Sequence, residues 1–462
     1  MEDRKYLERM TAQTPWKAIV LFAVPVFIGN LFQQLYSMVD AVIVGRLVGV
    51  LPLAGVGATG AMSFLVIGFA TGITGGLSVV TAQRAGLGDS ERVRSSVAAS
   101  ICLCLLIAAV LTIVSAATAG PLLRMMNTPE DIYEYAHDYI LIIYLGIGAT
   151  LYYNLAAGML RAIGDSRTPL YFLVISSFLN IILDLAAILL LHMGVRGAAL
   201  ATVLSQLLSA AACHICAMRR YPMLRPGWRH FQAFFDEAVA HLRIGLPMAL
   251  QFSVTAVGIM ILQAYLNEFG SLVIAGYTAA SKVENLVTQP FIALALTMEV
   301  YCGQNYGAGN MERVRRGIRS SLLIGLVCVI LAAAVNVFFG RRLISLFMDQ
   351  YDARVVEYGY DYLLVIAVFF WLLCSLQILR SSLQGMGEAA VPVAGGVIEL
   401  FARWGGCALL AAPFGYVGVY LSTPLAWGLA LSVLLARYVW IVRRLDVART
   451  QQVRYPGPDS MR

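Results

Sequence analysis

Apolar runs close to or above the roughly 20 residues that cross a bilayer's hydrocarbon core recur along nearly the whole of this chain, separated by short polar connections. They fall at about 18–44, 51–80, 95–118, 136–158, 169–191, 198–218, 244–266, 272–300, 320–340, 358–382, 391–412 and 418–441. The expected fold is therefore all-α, a membrane protein of twelve transmembrane helices. With 60% hydrophobic and only 13% charged residues over 462 positions, no stretch is left over for a soluble domain.

A net charge of +7 would suggest a nucleic-acid partner in a soluble protein. Here the Lys and Arg residues concentrate in alternate loops, which is a topology signal instead, and no nucleic acid is expected. That bias, with an even number of spans, predicts both termini in the cytoplasm and a multi-pass protein of the cell (plasma) membrane. The first span follows the charged stretch Met1 to Lys17 without an A-x-A-like cleavage site, so it reads as retained. The eight cysteines lie mostly inside apolar runs, where a thiol acts as a small hydrophobe, and no disulfide framework is expected. Cys213-x-x-Cys216 has metal or redox spacing but lacks a second ligand pair.

The chain repeats itself. The segment from Ala82 to Arg94 recurs 221 positions later, from Gly303 to Arg315, with seven of thirteen positions identical. Pro25 matches Pro247, and Gly164 with Pro169 matches Gly387 with Pro392. Each pair flanks equivalent spans, so two six-helix halves of parallel topology are expected, related by an axis along the membrane normal. The predicted organisation is a lobe at 1–218, a basic cytoplasmic linker at 219–242, a second lobe at 243–442 and a cytoplasmic tail at 443–462. Gly68, Gly72 and Gly76, at four-residue spacing, read as a close-packing face.

In the first span Asn30, Gln33, Ser37 and Asp40 follow at intervals of three, four and three, on one helical face. An aspartate at the bilayer centre costs about 2.5–3.5 kcal/mol on insertion scales, so Asp40 needs a partner, a proton or a cation. The fifth span presents Ser176, Ser177, Asn180 and Asp184 on one face. Two acids converging in a low dielectric cannot both stay charged without compensation, and binding a proton or a hard cation such as Na⁺ among Asp40, Asn180 and Asp184 removes the repulsion. The equivalent positions in the second half are Leu262, Arg403 and Cys407, which puts the expected coupling site in the first half. The second half has its own membrane charges, Lys282, Glu284, Glu399 and Arg403. Glu399 and Arg403, spaced i, i+4, read either as a buried structural pair or as cavity groups. Gln33, Gln34, Ser37, Glu284, Glu399 and Arg403 form the expected substrate-cavity set, and Pro25 and Pro247 the expected helix-bending positions.

No G-x-x-x-x-G-K-[ST], H-E-x-x-H or G-x-S-x-G motif is present, so neither a nucleotide-driven pump nor an enzyme is expected, and no cofactor. An ion gradient remains as the energy source. One coupled cation at about 2.3 kcal/mol per 100 mV supports a roughly fifty-fold concentration ratio.

Taken together, Pro25 and the Asn30 to Gly45 stretch with Asp40, the Gln83 to Arg94 loop and its copy at Gly303 to Gly309, and the Arg161 to Pro169 turn resemble the multidrug and toxic compound extrusion (MATE) family, over nearly the whole chain. The resemblance implies two pseudo-symmetric six-helix bundles forming a V-shaped cavity, and proton or sodium antiport of small, often cationic, drug-like compounds by a monomer in the lipid bilayer. Its DinF-like branch implies a cation site matched here by Asp40, Asn180, Asp184 and Thr202, with Tyr139 lining the same pocket. The seventh span carries only Gln251 and Gln263 as long polar residues, unlike the NorM-like branch with its glutamate there. The alternatives are a lipid-linked precursor flippase of the same superfamily, or an uncoupled channel or receptor.

Overall fold

A computed structural model describes residues 10–348 and 352–454 of the chain; residues 1–9 and 349–351, and 455–462 of the expected tail, lie outside it. The helices are α1 (Pro15–Ile43), α2 (Val50–Ala58), α3 (Gly60–Gly86), α4 (Ser90–Met125), α5 (Glu130–Leu145), α6 (Ile147–Ala162), α7 (Arg167–Leu185) and α8 (Gly194–Arg220). After a 3-10 turn at Pro222–Leu224 come α9 (Trp228–Gln232), α10 (Phe234–Asn267), α11 (Ser271–Val287) and α12 (Gln289–Gly307). The last four are α13 (Met311–Ser345), α14 (Ala353–Gly385), α15 (Ala390–Phe414) and α16 (Tyr416–Arg454). Among the described residues there is no strand. Among the described residues, ten helices are long and apolar enough to cross a membrane, and two bent pairs, α5 with α6 at 46° and α11 with α12 at 47°, bring the crossings to twelve when each pair counts as one span.

The outer faces confirm which solvent these helices meet. Ile113 is 69% exposed and Phe338 is 77% exposed, in helices whose opposite faces are buried. Such surfaces are stable only against lipid tails, which are as apolar as the side chains themselves. The chain reverses at each turn, so the 87–89, 163–166, 221–227, 308–310 and 386–389 connections share one end of the bundle with Arg92, Arg94, Arg225, Arg313 and Arg315. We call this the basic end.

The internal repeat has a physical counterpart at the basic end. After α3 the chain turns at Gly88 (φ +74°), and Asp89 caps α4 by accepting from the backbone N–H groups of Glu91 and Arg92. After α12 it turns at Gly309 (φ +70°), and Asn310 caps α13 by accepting from Arg313. A left-handed residue that ends one helix, followed by a side chain that satisfies the free N–H groups of the next, explains why these motif positions match.

Helices α1–α8 form one lobe and α10–α16 the other. Their seam is backbone against backbone: a Cβ on Gly72 would lie 2.6 Å from the Ala249 Cα, one on Gly76 would run into Gly245, and one on Gly68 would meet Phe252. The four-residue glycine spacing thus serves the packing of α3 on α10. The first helix belongs to both lobes. Its Ile19, Phe22 and Val26 join the buried cluster that holds Met298 and Tyr301 of α12, while its later turns pack on α7.

Three local features differ from the pattern of apolar runs. The expected second span divides into α2 and α3 and extends to Gly86. The linker is only partly a connection, because α10 begins at Phe234; Asp236 and Glu237 in its first turn complement the helix dipole, so a polar stretch continues the span. Pro25 and Pro247 lie inside unbroken helices, where each removes one N–H from the ladder without ending it.

Candidate functional site

Two helices lose their regular hydrogen-bond register just past an aspartate. α1 ends at Ile43, three residues after Asp40, and passes into a π turn over Val44–Val48. α7 ends at Leu185, directly after Asp184, and passes into a π turn over Ala186–Leu190. Val44 and Ile188 pack together with Val195 and Ala198 of α8, so the two irregular turns are buttressed by one apolar cluster. π turns of this kind widen a helix locally and recur at functional sites.

Above that cluster the polar faces meet. Asp184 and Asn180 are buried, and Asp40 is half-buried. Asp40 and Asp184 are neighbours where α1 packs on α7. Asn180 Nδ2 lies 3.5 Å from the Thr202 hydroxyl on α8. Tyr36 on α1 and Tyr139 on α5 are both close enough to feel the two acids. The structure therefore brings Asp40, Tyr139, Asn180, Asp184 and Thr202 together. Asp40 Oδ1, Asn180 Oδ1 and both carboxyl oxygens of Asp184 are buried without a hydrogen-bond partner. Buried polar atoms are ordinarily paired, so four orphaned oxygens converging from two helices define a cradle for a positive charge. A proton shared by the carboxyls, or a hard monovalent cation ligated by carboxyl, amide and hydroxyl oxygens, suits that donor set. Among the described residues no three His, Cys, Asp or Glu side chains converge as for a multivalent metal.

The remaining polar residues of α1 lie on the other side of the cradle from that cluster. Gln33 and Ser37 are exposed, Gln34 is half-buried, and the Ser37 hydroxyl donates to the carbonyl of Gln33 in its own helix (3.0 Å).

The equivalent region of the second lobe is built from ion pairs. Glu399 accepts from Arg380 (2.9 Å) and Arg403 (3.2 Å), and all three are buried. Arg403 rests against Gly258 of α10, where a Cβ would lie 3.4 Å from its guanidinium. Glu284 accepts from the Tyr362 hydroxyl (2.7 Å), and Gln384 donates to Gln251 (2.8 Å). Lys282 is exposed at the far end of α11, 5.8 Å from the Phe347 ring centroid.

Four further residues belong to this picture. Tyr36 carries no signal beyond its place one turn before Asp40. Arg380 completes the triad from the end of α14. Glu299, buried on α12, and Arg161, half-buried on α6, carry opposite charges on helices that meet across the lobe seam. Their signal was available, since a charge inside an apolar run always asks for a partner.

Comparison with known proteins gives a consistent result. The sequence profile of the MatE family matches residues 25–186 and 247–403, more than half of the chain. A probable multidrug resistance protein of Bacillus subtilis (strain 168), YoeA, is 26% identical over 96% of this chain and 98% of its own. DNA damage-inducible protein F of Escherichia coli (strain K12) is 26% identical over 71% of this chain and 72% of its own. An outward-facing structure of a MATE-family multidrug resistance transporter shares the fold, with a TM-score of 0.88 at 24% identity over 96% of this chain and 98% of that one.

Proposed function

The chain belongs to the MatE family of multidrug efflux transporters, and on that premise we propose that it is a secondary active antiporter, exporting small, often cationic, drug-like compounds in exchange for protons or sodium ions. The observation that carries the reading is the cradle of orphaned oxygens at Asp40, Asn180 and Asp184. A site left short of positive charge in one lobe binds a cation, and the binding alters how α1 packs. By linkage, any difference in ion affinity between two arrangements of the lobes becomes a driving force on the substrate. Thr202 and Tyr139 position the cradle. Gln33, Gln34 and Ser37 on α1, with Glu284, line the path of the substrate, while Glu399 and Arg403 hold the second lobe's interior through their pairing with Arg380. Both termini lie in the cytoplasm, at the basic end, and the protein works as a monomer.

The test is to reconstitute the protein in liposomes and follow a fluorescent organic cation under an imposed proton gradient, then a sodium gradient, alongside Asp40→Asn. Gradient-driven movement that is absent in the variant supports the antiporter and identifies its ion. Full activity of Asp40→Asn removes Asp40 from the mechanism, and no movement under either gradient moves the weight to lipid-linked precursor flipping.

A further inference from the structure

Each lobe caps a helix of the other. Gln83, in the last turn of α3, donates from Nε2 to the carbonyl of Gly385, the final residue of α14 (2.8 Å). Gln304, in the last turn of α12, donates from Nε2 to the carbonyl of Ala162, the final residue of α6 (2.6 Å). The two glutamines are equivalent in the repeat, and so are the two acceptors: Ala162 precedes Gly164 by the same step as Gly385 precedes Gly387.

The acceptors are available for a reason. The last carbonyls of a helix have no partner within it. At α6 the N–H groups of Gly164 and Asp165 fold back to the carbonyls of Arg161 (2.8 Å) and Leu160 (2.9 Å); at α14 those of Gly387 and Glu388 fold back to Gln384 and Leu383 (both 2.9 Å). Both turns need a glycine in the left-handed region, Gly164 at φ +97° and Gly387 at φ +88°. These bonds leave the final carbonyl free for the opposite lobe. The approach is close enough that a Cβ on Gly86 would meet the Gln304 carbonyl and one on Gly307 would meet the Gln83 carbonyl.

We infer that Gln83 and Gln304 form a reciprocal latch that holds the two lobes shut at the basic end, and that the latch must open for the lobes to part there. They are positioning residues: neither touches the ion cradle. The role of that opening in a transport cycle rests on the antiporter reading; the latch itself rests on the geometry. Because both bonds cross one seam, the loss of either favours the parted state, by about five-fold for one neutral hydrogen bond.

The test measures the distance between spin labels on Leu87→Cys and Ala308→Cys, two exposed and repeat-equivalent turn residues, in a full-length chain whose half-buried Cys102, Cys216 and Cys328 are replaced by alanine. Gln83→Ala and Gln304→Ala are each expected to add a longer-distance population. Gln83→Glu separates a latch from a packing defect, because its carboxylate cannot donate but its protonated form can. It is expected to open at neutral pH and close again in acid, while Gln83→Ala, taken through the same pH range, stays open. An unchanged distance in Gln83→Ala overturns the latch, as does an opening of Gln83→Glu that acid fails to reverse. The readout does not depend on transport, so variants that open in a protein that moves no substrate sustain the latch and count against the antiporter reading alone.

Discussion

At equivalent points of the repeat, the first lobe sets Asn180 and Asp184 beside Asp40 with four oxygens unpartnered, whereas the second sets Arg403, which with Arg380 holds Glu399, and Cys407, which bonds Ser422. Tyr139 and Tyr362 occupy matching positions, one near the acid pair and the other bonded to Glu284. The helical frame is the same, but the charge is compensated in different ways. In the second lobe the protein supplies its own counter-charges, two guanidiniums to one carboxylate, although Arg380 Nε and Arg403 Nε stay unpartnered. In the first lobe no basic side chain pairs with the acids among the described contacts, and on the antiporter reading a mobile cation brings the counter-charge.

The contrast is broken most decisively in the second lobe. Glu399→Ala strands two buried guanidiniums and is expected to destabilise the protein by about 3–5 kcal/mol, the usual cost of breaking a buried ion pair from one side; thermal unfolding in detergent measures it. An unchanged midpoint would mean that the triad is not the structural centre of that lobe. Asp184→Asn comes next and should do the opposite, leaving the unfolding midpoint intact while ion-driven transport falls by roughly 5–150-fold, the range of ordinary coupling free energies. If stability fell and coupling survived, the assignments of the two lobes would have to be exchanged. The smallest effect is expected from Tyr139→Phe, which removes one hydroxyl from the neighbourhood of the acids and should weaken apparent ion affinity by about five-fold. Tyr362→Phe, its counterpart, should leave ion affinity unchanged, and the pair measured together sharpens the comparison.

Much of this architecture can be read from the residues alone, because lipid is an unforgiving solvent. The apolar runs declare the helices, and polar residues such as Asn180 and Asp184, recurring at helical spacing inside a run, declare a shared face. The rest is harder to see for physical reasons. The bend at Gly146 and the break before Pro290 interrupt helices without interrupting hydropathy. The π turns after Asp40 and Asp184 are a slip of hydrogen-bond register within ordinary apolar sequence, with no residue type to announce them. Arg380 and Glu299 stand near the ends of their runs, where a charge reads as interfacial until the neighbouring helices are in place. The pairing of Gln83 with Gly385 joins residues 302 positions apart, which no local pattern encodes.

The straddling course of α1 has a mechanical consequence. Its Val26 is fastened into the second lobe and its Asp40 closes the cradle of the first, fourteen residues further on, a lever of about 21 Å at the helical rise. What happens at the tip is transmitted by the stiffness of one continuous rod rather than by a relay of contacts that must each be remade. Pro25 sits next to the fastened end, where a missing ladder bond makes the rod most compliant. On the proposed antiporter reading, tight gearing between ion and substrate depends on how rigid those fourteen residues are, and softening them would let the ion leak through while the drug stayed behind.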